Sequence, residues 1–186
     1  MTAPGDAGAG WAMFLIRHGR TELNAAGALR GRMDVALDEV GEEEARRLGA
    51  LFAASGVALV ISSPLRRARA TAAAVAEAAG LSVLEDQALA DRDYGPWNGA
   101  AEAEVVERFG SVEAAPGVEA WSDFAARVLG PVEAAATRAG GRPVALVAHE
   151  AVNRAILVGL VPALGAPGDL PQPTGCWNEL ALKGGS

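Results

Sequence analysis

The two histidines of the chain, His18 and His149, each come directly after an apolar segment that is typical of a buried strand. The first segment covers residues 11–16 and is followed by Arg17, and the second covers residues 142–148. Ligands of parallel sheets bind at the carboxyl ends of the strands, so we expect both imidazoles at one edge of a sheet. Imidazole can serve there as a nucleophile, a proton carrier or a metal ligand.

Arginines are expected at the same edge and indicate an anionic ligand. Arg17 adjoins the first histidine, and three more arginines lie near the start of a helix that Ser63 is expected to cap: Arg66, Arg67 and Arg69. Guanidinium groups and the N–H groups of a helix start both suit a phosphoryl group. A metal site is disfavoured, because no further Cys or His stands at a familiar ligand spacing and the arginines would repel a cation.

The elements that must position these side chains alternate along the chain. Strands are predicted at residues 11–16, 57–61, 81–84, 142–148 and 178–182, and helices at residues 39–54, 64–79, 101–109, 118–139 and 150–159. This order indicates an α/β fold, a three-layer α/β/α sandwich with a largely parallel central sheet. Residues 1–10 are expected to be a disordered N-terminal segment, residues 11–186 a single domain, and residues 19–38 a long functional loop.

Composition argues against several other classes of protein. A net charge of -7 is unfavourable for a general nucleic-acid binder. The single cysteine, Cys176, excludes an intramolecular disulfide. No apolar run reaches the length of about 18 residues that a membrane span needs, and the N-terminus lacks a positively charged leader region. We therefore expect a cytoplasmic protein with no membrane partner and no nucleic-acid partner.

Motifs in five regions of the chain resemble, in order, those of the histidine phosphatase superfamily, in its phosphoglycerate mutase-like branch 1. The first is Arg17-His18-Gly19 with Thr21 and Asn24, which resembles the Arg-His-Gly signature. The others lie at residues 37–41, 63–72 and 93–99, and at Val147-Ala148-His149 with Arg154. The resemblance covers roughly residues 11–182, nearly the whole chain, and implies the phosphoglycerate mutase-like fold.

The resemblance also implies roles for individual residues. His18 would attack phosphorus and become phosphohistidine, with Arg17, Arg67 and His149 completing the phosphate pocket. A carboxylic acid would protonate the leaving oxygen and then deprotonate the attacking water. No metal and no organic cofactor would be required, and the partner would be a small phosphorylated substrate. Further candidates for contact with that substrate are Thr21, Asn24, Arg30, Tyr94, Glu150 and Asn153.

The sequence departs from the family pattern at the position of the carboxylic acid that would protonate the leaving oxygen. The family usually has Glu two residues before the Asp of the motif at 93–99, and here that position is Asp91, one methylene shorter. Glu150 directly follows the second histidine, where many relatives have Gly and where a more distant branch places its acid. Asp91 is the favoured acid. Glu150 is the alternative, and it can equally be a helix-start residue that the helix dipole stabilises.

Three functions are compatible with these residues. The favoured one is hydrolysis of a phosphomonoester. The second is a phosphoglycerate-type mutase, but such mutases tend to be longer, with inserted segments that close over the site, and residues 99–144 leave little room for them. The third is a non-catalytic binder of a phosphorylated ligand on the same scaffold, because the acid positions are altered and a fold alone does not give a function.

Overall fold

The computed structural model describes residues 11–182, whose centre is a five-stranded sheet with the order β3-β2-β4-β1-β5. Neighbouring strands are parallel except that β5 runs antiparallel to β1. The strands are β1 (Trp11–Arg17), β2 (Leu59–Ser62), β3 (Val83–Glu85), β4 (Val144–Ala148) and β5 (Trp177–Leu182). The predicted α/β sandwich with a largely parallel sheet is confirmed. The predicted disordered segment at residues 1–10 lies outside the described residues.

Helices cover both faces of this sheet. They are α1 (Glu22–Ala25), α2 (Glu39–Phe52), α3 (Arg66–Ala79), α4 (Glu102–Phe109), α5 (Trp121–Ala139) and α6 (Glu150–Leu160). Within the described range, none of them combines the length and the apolar character that crossing a bilayer requires.

Two core clusters fix the strands that carry the histidines. Along β1, Met13 and Leu15 pack into a cluster with α5 and α6, whereas Phe14 and Ile16 pack into a cluster with α2 and α3. This alternation is the period of two that a strand buried on both faces shows. Every residue of β4 is buried as well. Because β1 and β4 are adjacent and central, their carboxyl ends are held in a fixed relation.

Two local predictions were wrong in detail. The predicted loop at 19–38 contains the short helix α1, which begins there because Thr21 and Asn24 form a capping box. The N-cap of α3 is Leu65 rather than Ser63, and Pro64 precedes the helix. The first helical N–H, that of Arg66, donates to Asp34 Oδ1 at 2.7 Å. That N–H of the helix start is therefore engaged by the protein and not open to a ligand.

Candidate active site

The carboxyl ends of β1 and β4 place the two histidines side by side. The parallel register pairs Arg17 with Ala148, so the next residue on each strand is a histidine. The backbone N–H of His18 donates to the Ala148 carbonyl at 3.0 Å, and the two imidazole centroids lie 5.1 Å apart. Both rings are buried. The strand positions read from the sequence therefore bring the two imidazoles into one site, as predicted.

The hydrogen-bond partners of His18 hold it as a neutral imidazole whose Nε2 lone pair is directed at Arg67. Its Nδ1 lies 2.6 Å from the Gly19 carbonyl oxygen, and its Nε2 lies 3.2 Å from Arg67 Nε. A carbonyl only accepts and a guanidinium only donates, so Nδ1 carries the hydrogen and Nε2 the lone pair. Burial, then the neighbouring His149 and Arg67, lower the pKa of His18 well below its ordinary value. The ring has the protonation state that a nucleophile needs.

Glycine at residue 19 is required by the packing of this turn. A Cβ at that position would lie 2.3 Å from the carbonyl oxygen of Gly41. The close approach brings the start of α2 against the turn that follows β1, and so keeps the Gly19 carbonyl directed at His18 Nδ1. The glycine of the Arg-His-Gly motif thus has a steric reason in this chain.

His149 is oriented by a residue that sequence analysis assigned another role. Its Nε2 lies 2.7 Å from Ser63 Oγ, and its Nδ1 lies 3.7 Å from Asp91 Oδ2. The nearby carboxylate favours the tautomer with the hydrogen on Nδ1 and with Nε2 accepting from the Ser63 hydroxyl. Burial and the nearby arginines Arg67 and Arg30 lower the pKa of His149 well below its ordinary value. The only sequence signal for this role of Ser63 is its place after β2, which neighbours β4.

Arg67 connects His18, the predicted nucleophile, to the loops around it through hydrogen bonds. Its guanidinium group is fully buried, with Nε directed at His18 and Nη1 donating to the Met33 carbonyl at 2.7 Å. Its Nη2 donates to the Gly31 carbonyl at 2.8 Å and to Asp91 Oδ2 at 3.0 Å. One guanidinium group therefore lies between the Nε2 of His18, the predicted nucleophile, and Asp91, the favoured acid.

Three buried donor groups at this edge lack a hydrogen-bond partner among the described residues. They are Arg17 Nε, Arg30 Nε and His149 Nδ1. Leaving a buried donor unpaired costs about 1–3 kcal/mol, so a ligand that supplies acceptor oxygens is favoured at this place. Guanidinium nitrogens cannot coordinate a cation. The arrangement therefore selects an oxyanion, and two imidazoles with two arginines around it suit a phosphoryl group.

The two candidate acids occupy different positions. Asp91 is buried among the phosphate-site side chains, between Arg67 and His149. The Glu150 side chain is 27% exposed and lies 2.7 Å from Arg17 Nη1, 2.8 Å from Arg154 Nη1 and 3.8 Å from Arg30 Nη2. Asp91 therefore lies inside the pocket, and Glu150 lies at its border with the cleft described next.

A cleft of about 610 Å³ opens beside the buried pocket. Its lining includes Asp91, Arg30, Arg92, Tyr94, Trp121, Glu150 and Arg154. This volume is that of a site for a small metabolite. Burial raises the pKa of Tyr94, which keeps its phenol neutral. Trp121 packs on Phe124, and its ring also faces the cleft beneath the Arg92 guanidinium group.

Three predicted substrate contacts are not among the residues that line this cleft. Thr21 is fully buried, and its hydroxyl donates to Asn24 Oδ1 at 2.8 Å, so both side chains build the cap of α1. Asn153 is also fully buried and donates to Gln172 Oε1 at 3.3 Å. Gln172, which sequence analysis missed, accepts a hydrogen bond from Arg17 Nη1 through its carbonyl. It lies in a proline-rich stretch that gives no periodic signal.

Arg127, on α5, is a second residue that sequence analysis missed. Its Nη1 donates to the carbonyls of Ala88 and Ala90 at 2.7 and 2.8 Å, and its Nη2 donates to the Asp91 carbonyl at 2.9 Å. Glu119 holds the same guanidinium group through both carboxylate oxygens. Arg127 therefore fixes the backbone that carries Asp91.

Among residues 11–182, no three His, Cys, Asp or Glu side chains come together as a set that could hold a metal ion.

Comparison with known proteins agrees with this geometry. A family described as the histidine phosphatase superfamily (branch 1) matches residues 13–186. A glucosyl-3-phosphoglycerate phosphatase of Mycolicibacterium vanbaalenii is 32% identical, over 91% of this chain and 83% of that protein. The structure of a mycobacterial glucosyl-3-phosphoglycerate phosphatase with VO3 superposes with a TM-score of 0.81 at 28% identity, covering 91% of this chain and 92% of that one.

A third relative shares only part of its length with this chain. A bifunctional protein of Mycobacterium tuberculosis is 40% identical over 111 residues, which is 58% of this chain. The match spans 30% of that protein.

Proposed function

Because the chain belongs to branch 1 of the histidine phosphatase superfamily, we propose that it hydrolyses phosphate monoesters of small metabolites through a phosphohistidine on His18. The reaction needs neither a metal ion nor an organic cofactor. The observation that carries this proposal is the lone pair on Nε2 of a neutral, buried His18 beside unpaired Arg17 and His149 donors. The relative named as a phosphatase supports hydrolysis as the outcome.

In the first step, the His18 Nε2 lone pair attacks phosphorus and the phosphorus–oxygen bond of the ester breaks. The leaving oxygen takes a proton from the Asp91 carboxyl group, so the product alcohol departs neutral. Arg17 Nε, Arg67 and His149 Nδ1–H donate to the phosphoryl oxygens and stabilise the charge that they carry in the transition state. The Gly19 carbonyl stabilises the positive charge of the phosphorylated ring through Nδ1–H.

In the second step, water attacks the phosphorus of phosphohistidine while the Asp91 carboxylate takes one of its protons. The nitrogen–phosphorus bond breaks, its electron pair returns to Nε2, and inorganic phosphate leaves. Asp91 is again protonated and His18 is again neutral. One residue acts first as acid and then as base, which a single well-placed carboxyl group can do.

Asp91 is the better placed acid of the two candidates. Its Oδ2 lies within 3.0 Å of Arg67 Nη2, and Arg67 Nε lies 3.2 Å from the nucleophilic nitrogen. Glu150 contacts Arg17, Arg30 and Arg154 instead, on the cleft side. Glu150 is shared by three guanidinium groups at the border of the cleft, whereas Asp91 pairs with one, that of Arg67, inside the pocket.

The test is release of phosphate from p-nitrophenyl phosphate and from alkyl phosphates in the presence of EDTA, comparing wild type with His18→Ala. Wild type should turn over, and His18→Ala should lose at least about 10³-fold in kcat, because no second nucleophile replaces the imidazole. Arg69→Ala is the matched control. Arg69 is an exposed residue of α3, two positions from Arg67, and its loss should leave activity at the wild-type level.

Three outcomes would overturn the proposal. Equal turnover in wild type and His18→Ala would remove His18 as the nucleophile. Binding of inorganic phosphate without turnover of any ester would show a non-catalytic binder. Transfer of phosphate between the hydroxyls of a phosphoglycerate, without release to water, would show a mutase.

A further inference from the structure

We propose that Glu150 determines substrate specificity by occupying the arginines of the cleft with its own carboxylate. The enzyme then prefers phosphate esters of uncharged, hydroxylated alcohols and disfavours esters whose alcohol carries a carboxylate. The inference rests on the phosphatase function proposed above and names its substrate class.

The first support is the set of ion pairs around Glu150. Its Oε2 lies 2.7 Å from Arg17 Nη1 and 3.8 Å from Arg30 Nη2, and its Oε1 lies 2.8 Å from Arg154 Nη1. The arginine side chains are 7%, 14% and 25% exposed and that of Glu150 is 27% exposed, so the pairs are partly shielded from water. A carboxylate of the protein therefore stands where an anionic part of a substrate would otherwise bind.

The second support is the charge balance of the whole cleft. Besides Arg30 and Arg154, the cleft is lined by Arg92, whose Nη1 lies 2.8 Å from Glu113 Oε1. Asp91 and Glu102 line the cleft as well. Each of the three arginines in the lining thus has an acidic partner. A substrate carboxylate would therefore have to displace Glu150 from these partly buried guanidinium groups.

The remaining lining suits a neutral polar group. The Tyr94 phenol stays protonated because burial raises its pKa, so it can donate a hydrogen bond to a hydroxyl oxygen. The Trp121 ring, with Leu29 and Val112 in the same lining, offers an apolar surface. Aromatic rings with a few placed polar groups are the usual setting for a sugar- or polyol-sized group. The inferred preference differs from the compound in the name of the Mycolicibacterium vanbaalenii relative, glucosyl-3-phosphoglycerate, which contains a carboxylate.

The experiment compares two esters that differ in one group. Glycerol 3-phosphate releases the neutral triol glycerol, and 3-phosphoglycerate has a carboxylate in place of the terminal CH₂OH. We expect wild type to favour glycerol 3-phosphate by at least about tenfold in kcat/KM, and Glu150→Gln to reduce that ratio by about tenfold. The variant removes the charge, keeps the shape and frees Arg30 and Arg154 for the substrate carboxylate. The ratio is the readout, since Glu150 contacts the phosphate-binding Arg17 and both rates can change.

Glu102→Gln is the matched control. It removes the same charge from the same cleft, and within residues 11–182 the Glu102 carboxylate makes no ion pair that its loss would break. We expect it to leave the ratio within about twofold of wild type. If Glu102→Gln moves the ratio as much as Glu150→Gln does, net charge rather than Glu150 sets the preference, and the inference is wrong.

A binding measurement separates this inference from the phosphatase proposal. On the His18→Ala background, the increase in Tm caused by each ester reports affinity without turnover. Glycerol 3-phosphate should raise Tm more than 3-phosphoglycerate does, and adding Glu150→Gln should reverse or abolish that order. Equal Tm increases in His18→Ala, or an order unchanged by Glu150→Gln, would overturn the inference even if wild type hydrolyses both esters. Absence of turnover with a preserved binding order would instead overturn only the phosphatase proposal.

Discussion

The buried phosphate pocket and the adjoining cleft differ in which hydrogen-bond donors and charges they leave open to a ligand. In the pocket, His149 Nδ1 and Arg17 Nε are buried and have no protein partner among the described residues, so they are available to a ligand. In the cleft, Arg154 and Arg92 already hold Glu150 and Glu113. The pocket thus keeps donors open to an anion although Arg17 and Arg67 also contact Glu150 and Asp91, whereas each arginine of the cleft lining has a carboxylate partner. Under the function and specificity proposed above, phosphate binding and the choice of leaving group would fall to different parts of the molecule.

The two regions also differ in how they are built. The histidines of the pocket follow directly on strands of the sheet, whose residues are packed on both faces. The cleft is lined by connecting segments and by the ends of helices α4, α5 and α6. A rigid frame suits groups that must meet phosphorus within a few tenths of an ångström, and loops suit a part that varies with the substrate.

Asp91 is the residue that links the two regions, and its replacement should have the largest effect of the variants that keep the nucleophile. Asp91→Asn cannot protonate a leaving oxygen, so kcat for an alkyl phosphate should fall by about 10²–10³. The loss with p-nitrophenyl phosphate should be several-fold smaller, because nitrophenolate leaves without a proton. Steady-state rates on both substrates measure this difference.

Glu150→Gln is the control for that assignment. It should show no such dependence on the leaving group, since Glu150 acts on the cleft side through its ion pairs with Arg30 and Arg154. A larger leaving-group dependence for Glu150→Gln than for Asp91→Asn would place the acid at the border of the cleft. Glu150 would then belong to the catalytic pocket and not to the cleft.

The pocket could be read from the sequence because its geometry follows from strand order. An apolar run ending in a histidine places that side chain at the sheet edge, and adjacency of β1 and β4 brings His18 and His149 together. Arg67 could be read only from the family motif. Nothing in the residues before it predicts that a guanidinium group on α3 reaches back to His18 Nε2.

The cleft could not be read in the same way, because contacts between loops have no periodicity. Gln172 lies in a proline-rich stretch and Arg127 lies in an ordinary amphipathic helix, yet both hold the site together. Ser63 was predicted as a helix cap because Ser before Pro is typical of one. Its hydroxyl instead pairs with His149, since Asp34 satisfies the first N–H of α3.

The pocket should also be the part of the fold that is sensitive to mild acid. The pKa values of His18 and His149 are lowered well below the ordinary 6.5, mainly by burial. Below about pH 6.5 the unfolded chain takes up protons that the folded chain excludes, so the free energy of unfolding falls as the pH falls. For two such groups the loss between pH 7.5 and pH 5.5 is roughly 2–3 kcal/mol at most. Urea unfolding at the two pH values measures it.

A chain without histidines gives the comparison for this pH effect. His18 and His149 are the only two in the sequence, so a His18→Ala, His149→Gln double variant removes the whole contribution. Its free energy of unfolding should change by less than about 1 kcal/mol over the same pH range, because Asp and Glu titrate mostly below it. An equal loss in wild type and double variant would assign the acid sensitivity to groups outside the pocket.

The smallest effect is expected from Arg127, which acts on the pocket only by holding the backbone that carries Asp91. Arg127→Lys keeps the charge but cannot reach three carbonyls and Glu119 at once, so kcat for alkyl phosphates should fall by about tenfold. Arg138→Lys, at an exposed position of the same helix, is the matched control and should leave kcat unchanged.

If Arg127 acts through Asp91, its replacement should have two further effects that general destabilisation of the fold would not have. The Arg127→Lys loss should be smaller with p-nitrophenyl phosphate, and it should disappear when Asp91 is already Asn, because there is then no acid left to misplace. A loss that is equal for both substrates and persists in the Asp91→Asn background would show that Arg127 supports α5 rather than the acid. The position of Asp91 would then depend mainly on its side chain, whose Oδ2 accepts a hydrogen bond from Arg67 Nη2 at 3.0 Å inside the pocket.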